Sequence, residues 1–239
     1  MKRALVTGGS GDIGGAICRQ LAQKGLEVII HANSHGDKAK ALSDELKTDG
    51  FSAQTAIFDI TDPVETHKKI DELLVDGAIQ VLVNNAGIHD DVPMPGMQHE
   101  QWQRVLDVSL NGFFNVTQPL LMSMMGTRWG RIISLSSIAA IMGNRGQANY
   151  AAAKSGLHGA SKSLALELAS RGVTVNVVAP GIISGKMTDE VFDAKSIKDM
   201  VPMKRAGHPD EVASLVSFLA SDEAGYISGQ IIGINGAMA

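Results

Sequence analysis

The feature that most constrains this sequence of 239 residues is an alternation of short, β-branched apolar runs with longer stretches of helical periodicity. Strands are expected at Ala4–Thr7, Val28–His31, Ala53–Phe58, Val81–Asn84, Gly130–Leu135, Val173–Val178 and Ile231–Ile234. Helices are expected near Ile13–Lys24, Lys38–Thr48, Pro63–Val75, Gln98–Met125, Tyr150–Ser170 and Pro209–Ala220. The strand runs are apolar almost throughout, which suits parallel strands covered on both faces. Strand–helix repetition with right-handed crossovers winds such strands into one doubly wound α/β sheet. No linker, internal repeat or low-complexity stretch divides the chain, and α/β sheets reach this length as one unit. A single domain over residues 1–239 is therefore expected, with a seven-stranded parallel sheet.

In a sheet of this kind ligands sit beyond the carboxyl ends of the strands. The first such segment is glycine-rich: Thr7-Gly8-Gly9-Ser10-Gly11-Asp12-Ile13-Gly14, between the first strand and the first helix. Glycines let the backbone approach a pyrophosphate, and a helix N-terminus favours its charge. The fold class is thus read as a dinucleotide-binding, Rossmann-type domain; a tight turn without ligand is the plainer reading of the same glycines. A long segment of weak periodicity, about residues 182–208, follows the sixth strand and has the character of a substrate lid.

Further motifs follow later strands. Asn84-Asn85-Ala86-Gly87 comes after the fourth and Ser136-Ser137 after the fifth. Tyr150-Ala151-Ala152-Ala153-Lys154 opens a helix, and Pro180-Gly181 closes the sixth strand. In this order and spacing they resemble the short-chain dehydrogenase/reductase family over essentially the whole chain. Tyr150 and Lys154 lie four apart and share one helix face. An ammonium beside the phenol would lower its pKa and let it donate a proton to a ketone oxygen as hydride arrives. Ser137 would hold the same oxygen. The resemblance implies that Lys154 also holds the nicotinamide ribose. It implies contacts to the cofactor from Gly8, Ser10, Gly11, Asp12, Ile13, Asn85, Ala86, Gly87, Pro180, Gly181 and Ile183. Ser109 stands where the family carries an asparagine in its proton relay, with Asn111 read as a surface or packing residue.

An acid at the end of the second strand would favour NAD and repel a 2′-phosphate. This strand instead runs into Asn33, Ser34 and His35, so NADP(H) is the expected cofactor. Gly11 occupies the place of an arginine common in NADP-dependent relatives. Asp59 and Ile60 resemble the adenine contact, although Asp59 also reads as a helix cap, a part for which Asp62 is better placed. The strings Met142–Lys154 and Leu168–Gly181 resemble the 3-oxoacyl-[acyl-carrier-protein] reductase branch. That branch implies reduction of a β-ketoacyl thioester and docking of an acidic carrier protein on arginines aligned with Arg128 and Arg171. Those arginines are equally explained as helix-end cations. Ile88-His89-Asp90-Asp91 and Gly185-Lys186, where the branch carries Thr-Asp, resemble reductases of aryl-polyene-type pathways more than those of housekeeping fatty acid synthesis.

Small residues on Tyr150–Ser170, the Gln98–Met125 helix and the C-terminal stretch Ile231–Ala239 suggest, with the resemblance, a homotetramer with isologous interfaces. A net charge of −4 gives no support to a nucleic-acid partner. Cys18 is the only cysteine, so no intrachain disulfide forms, and the seven histidines show no metal-ligand spacing. The apolar run near Met1 is too short for a signal peptide, and no run is long enough to span a membrane, so a cytoplasmic enzyme is expected. Two rival readings stay open: a non-catalytic partner subunit, favoured by Asp12, Ser109 and Gly185, and a reductase of another small ketone or alcohol.

Overall fold

The computed structural model describes residues 1–185, 188 and 193–239. Among them seven strands form: β1 (Arg3–Val6), β2 (Glu27–Ala32), β3 (Ala53–Ile57), β4 (Val81–Asn84), β5 (Gly130–Leu135), β6 (Val173–Pro180) and β7 (Ile231–Ile234). They lie in the order β3-β2-β1-β4-β5-β6-β7, and every pair is parallel. Both faces of the sheet are covered, and successive apolar side chains enter different cores. In β1, Ala4 and Val6 join one cluster and Leu5 the other; in β2, Val28 and Ile30 part from Ile29 in the same way. This two-sided burial is why the strands lack polar alternation.

Among the described residues the α-helices are α1 (Asp12–Gln23), α2 (Gly36–Thr48), α3 (Pro63–Leu74), α4 (His99–Leu106), α5 (Gly112–Gly126), α6 (Ala139–Met142), α7 (Ala148–Leu168), α8 (Ala194–Met200) and α9 (Pro209–Leu219). One core packs under α1, α2 and α9, the other under α3, α5 and α7. Local chemistry sets several starts. Asp62 caps α3, accepting from the amides of Val64 at 2.8 Å and Glu65 at 3.0 Å, with Pro63 at the first helical position. Gln98 and Gln101 form a reciprocal capping box on α4.

The expected helix Gln98–Met125 forms as one unbroken helical run, His99 to Gly126, with a change of repeat inside it. A π-helical turn, Asp107–Asn111, separates α4 from α5 and brings Ser109 inward until it is 3% exposed. Such a turn inserts a residue into the helical repeat, which side-chain periodicity does not register. In the expected lid, 182–208, residues 186, 187 and 189–192 lie outside the described residues, and α8 falls within the remainder. The order of crossovers reverses between β1 and β4, so a crevice opens where their carboxyl ends part.

Candidate active site

The turn after β1 is folded tightly on itself. Gly8 has φ +61°, and a Cβ on Gly14 would run into the Gly8 carbonyl. Side chains fix this turn to β4. Thr7 Oγ1 accepts from the amides of Asn85 and Ala86, both at 3.0 Å. Asn85 Nδ2 donates to the carbonyls of Thr7 at 3.0 Å and Gly8 at 3.1 Å. From β2, His31 supports the turn from behind. Its Nδ1 accepts the Gly8 amide at 3.3 Å, which leaves the ring proton on Nε2, donated to the Phe58 carbonyl at 2.9 Å. Burial pushes the His31 pKa down to about 4, so the ring is neutral.

The first residue before α1, Gly11, provides no side-chain cap, so the leading amides of the helix face the crevice, a favourable position for an anion. Asp12 reaches across the crevice. Its Oδ2 lies 2.5 Å from the point where a Cβ on residue 185 would stand, and Gly185 has φ +152°. Asp12 and Gly185, separate departures in the sequence, thus meet in space: the carboxylate occupies the room that a side chain at 185 would need.

Ser137 follows β5 and accepts the Ala139 amide at 3.1 Å. The start of α7 is held by Asn149, whose Oδ1 accepts the Tyr150 amide at 2.8 Å and whose Nδ2 donates to the carbonyls of Asp90 and Gln101. Lys154 is 3% exposed; its Nζ donates to the Leu135 carbonyl at 2.8 Å and lies 5.8 Å from the centre of the Tyr150 ring. Burial pushes the Lys154 pKa down to about 8. The Tyr150 phenol is raised above its ordinary value, chiefly by burial; a hydrogen bond with Ser137 opposes this and the Asp91 carboxylate adds to it. The expected lowering of the phenol by Lys154 is therefore not seen. The ammonium is turned to Leu135, and loss of solvent dominates. Such a phenol stays protonated at neutral pH, the state a proton donor needs.

A cleft of about 420 Å³ unites these groups: Gly8, Ser10, Gly11, Asp12, Ile13, Asn85, Ala86, Gly87, Ser137, Tyr150, Lys154, Pro180, Gly181 and Ile183 all line it. A larger depression along α3, around Val64, His67 and Val75, contains none of them. Other candidates lie apart. Asn33, Ser34 and His35 are exposed beyond β2, with Ser34 Oγ 3.0 Å from His35 Nδ1. Asp59 accepts from the Thr61 amide and hydroxyl, and Ile60 is buried in the core against Gly112. Ser109 Oγ is buried without a hydrogen-bond partner among the described residues, 3.5 Å from where a Cβ on Gly87 would lie; Lys154 Nζ is 2.9 Å from that same point. Asn111 is exposed and donates to Asp107. Arg128 and Arg171 flank Gly172 at the amino ends of β5 and β6, the opposite end of the sheet from Ser137.

A family model described as short chain dehydrogenase matches residues 2–196. The chain belongs to that family. Among similar proteins, the 3-oxoacyl-[acyl-carrier-protein] reductase FabG of Escherichia coli (strain K12) is 45% identical over 240 residues, covering 99% of this chain and 97% of the relative. Proteins of the same name from Staphylococcus epidermidis and Aggregatibacter actinomycetemcomitans are 43% and 40% identical, covering 99% and 98% of this chain and 98% of each relative. This short-chain dehydrogenase is an oxidoreductase that uses a nicotinamide cofactor. The glycine cradle and the uncapped helix start fit a dinucleotide. Among the described residues no helix is long and apolar enough to cross a membrane.

Three groups that shape the dehydrogenase's site were not singled out from sequence. Thr7 and His31 sit in a strand-to-turn motif and a strand end whose side-chain direction only the sheet defines. Asp91 belonged to a string noted for its resemblance, and its proximity to Tyr150 comes from the fold of the loop after β4.

Proposed function

We propose that the protein reduces the β-keto group of an acyl thioester on acyl carrier protein, with NADPH as reductant. The observation that carries this is the convergence of Ser137, Tyr150 and Lys154 in one cleft with the glycine turn. When bound, the reduced nicotinamide supplies the hydride. Tyr150 donates its phenolic proton to the ketone oxygen, and Ser137 holds that oxygen by a hydrogen bond, so that developing charge meets two donors. Lys154 supports the phenolate left behind and binds the nicotinamide ribose. Ser109 and Lys154, both beside Gly87, offer a hydroxyl and an ammonium for refilling the proton. Ser10, Gly11, Asp12, Ile13 and the Asn85–Gly87 strip bound the pyrophosphate and ribose, with Pro180, Gly181 and Ile183 against the nicotinamide.

The absence of an acid beyond β2, where Asn33, Ser34 and His35 are exposed, supports NADPH over NADH. Asp59 and Ile60 are the proposed adenine contacts, through the Asp59 carboxylate and the Ile60 backbone. Carrier protein is proposed to dock on Arg128 and Arg171. They stand one strand length, about 20 Å, from the Ser137 end of the sheet. Exposed Phe114 and Met122 on α5 and Leu166 on α7 support helix pairing in a homotetramer. The segment 182–208 is proposed to cover bound substrate.

The test is NADPH oxidation with carrier-bound and free β-ketoacyl thioester, on the wild type and Tyr150→Phe. Loss of the general acid is expected to lower the rate about 10²- to 10⁴-fold while NADPH still binds. Near-normal turnover by the variant would overturn the reading.

A further inference from the structure

Behind the site, a closed hydrogen-bond ring joins the end of β5 to α7. Ser136 Oγ lies 3.1 Å from the Lys154 carbonyl and 2.7 Å from His158 Nε2. A carbonyl only accepts, so the single Ser136 proton goes to Lys154, and Ser136 must in turn accept from His158 Nε2–H. The same Lys154 carbonyl is the helical acceptor for the backbone amide of His158, four residues on. Ser136 is 5% exposed and its neighbours are the two groups that matter: Leu135, whose carbonyl receives Lys154 Nζ, and Ser137, whose hydroxyl meets Tyr150. Ser136 and Lys154 line the cleft, whereas His158 does not.

We infer that His158 is a positioning residue: through Ser136 it locks the second turn of α7 to the end of β5, and so sets where Lys154 and Tyr150 stand relative to Ser137. This rests on the roles proposed above for those three residues. Without His158 the Ser136 hydroxyl is free to rotate away from the Lys154 carbonyl, and the steady tether left is the Nζ bond to Leu135, which Lys154 must be able to vary while serving Tyr150. With the lock, the backbone is held and the ammonium is free to respond. The lock does not depend on the charge of His158, because Nε2 carries a proton in both the neutral donor tautomer and the cation; burial and Lys162 one turn on both disfavour the cation. The groups that act on the Tyr150 phenol, beside burial itself, are Ser137 and Asp91, and of these only Ser137 adjoins the lock.

The test compares His158→Leu, His158→Gln, Ser136→Ala and the double variant Ser136→Ala/His158→Leu with the wild type and Tyr150→Phe. Leucine keeps bulk without a donor; glutamine keeps an N–H for Ser136. His158→Leu is expected to lower kcat about tenfold, as loss of one positioning hydrogen bond does, with KM for NADPH little changed. In the alcohol-oxidation direction, the acidic limb of its kcat profile moves to higher pH as the hydrogen bond from Ser137 to the Tyr150 phenolate is less well held. His158→Gln recovers most of both effects, and the double variant is no worse than either single one. A wild-type kcat and pH profile in His158→Leu overturns the inference, as does additive loss in the double variant. If His158→Leu does not fold, Ser136→Ala alone decides by the same readouts. An active Tyr150→Phe would overturn the underlying chemistry instead, so the two failures are distinguishable.

Discussion

Replacing Lys154 by methionine should separate catalysis from stability in opposite directions. The ammonium is buried, and its pKa is pushed from 10.5 down to about 8. A displacement of that size means that the charged form is destabilised in the native state by about 3 kcal/mol relative to the unfolded chain. Methionine has nearly the same shape and no charge. It leaves the Leu135 carbonyl without its side-chain donor, at a cost of about 1–3 kcal/mol. At pH 7 the variant is therefore expected to be about 0–2 kcal/mol more stable than the wild type, a rise in Tm of up to about 8 °C. The pH dependence is more diagnostic. Above the native pKa the folded protein gives up this proton while the unfolded chain still holds it, so wild-type stability rises with pH. Between pH 7 and 9.5 the gain attributable to Lys154 is about 2 kcal/mol. Methionine abolishes that gain, so the stability difference between the two proteins narrows and then reverses as pH rises. Urea unfolding of both at pH 7, 8, 9 and 9.5, without cofactor, measures it. Reductase activity of the variant should fall about 10²-fold or more. A difference that is flat across this range would refute the argument that burial of an ionised lysine outweighs its other interactions.

Asp12→Gly is expected to tighten NADPH binding about three- to a hundredfold, because a carboxylate beside the phosphate turn repels a pyrophosphate by about 1–3 kcal/mol. The gain should shrink with salt, since the residue is exposed; titrations at low and high ionic strength check both points, and equal or weaker binding by the variant refutes them. His31 makes a different pH signature. Its native pKa of about 4 lies below the ordinary 6.5, so its stabilising effect is present above pH 6.5 and is lost as pH falls toward 4. At pH 5 about 2 kcal/mol of stability should be lost relative to pH 7, by urea titration, and His31→Gln should remove that part of the loss.

The parts of the site that were legible in sequence share one property: their chemistry is set by near neighbours in the chain. Lys154 lies one helical turn from Tyr150, and Gly8 to Gly14 form one turn, so spacing alone brought each set together. The cap on α3 was equally plain, since Asp62 precedes Pro63 directly. Ser109 was identified by alignment, yet its burial came from a π turn that no periodicity signals. The direction of the Tyr150 shift is not legible from the Tyr150–Lys154 pair alone: desolvation depends on everything packed around the ring, including Asp91 from the loop after β4.

The sequence by itself determined that this would be a two-sided parallel sheet with a dinucleotide turn at its first switch, because apolar run length, helix caps and glycine spacing are local quantities. Tertiary structure alone decided the rest. It turned Lys154 toward Leu135, set His31 behind Gly8, and joined Ser136 to His158. It also brought Asp12 to Gly185, which lie 173 positions apart in the chain (185 − 12), making one feature of two departures. These contacts cross between strands and helices far apart in sequence. Their geometry follows from how the crossovers pack on the sheet, which is fixed only when both hydrophobic cores close.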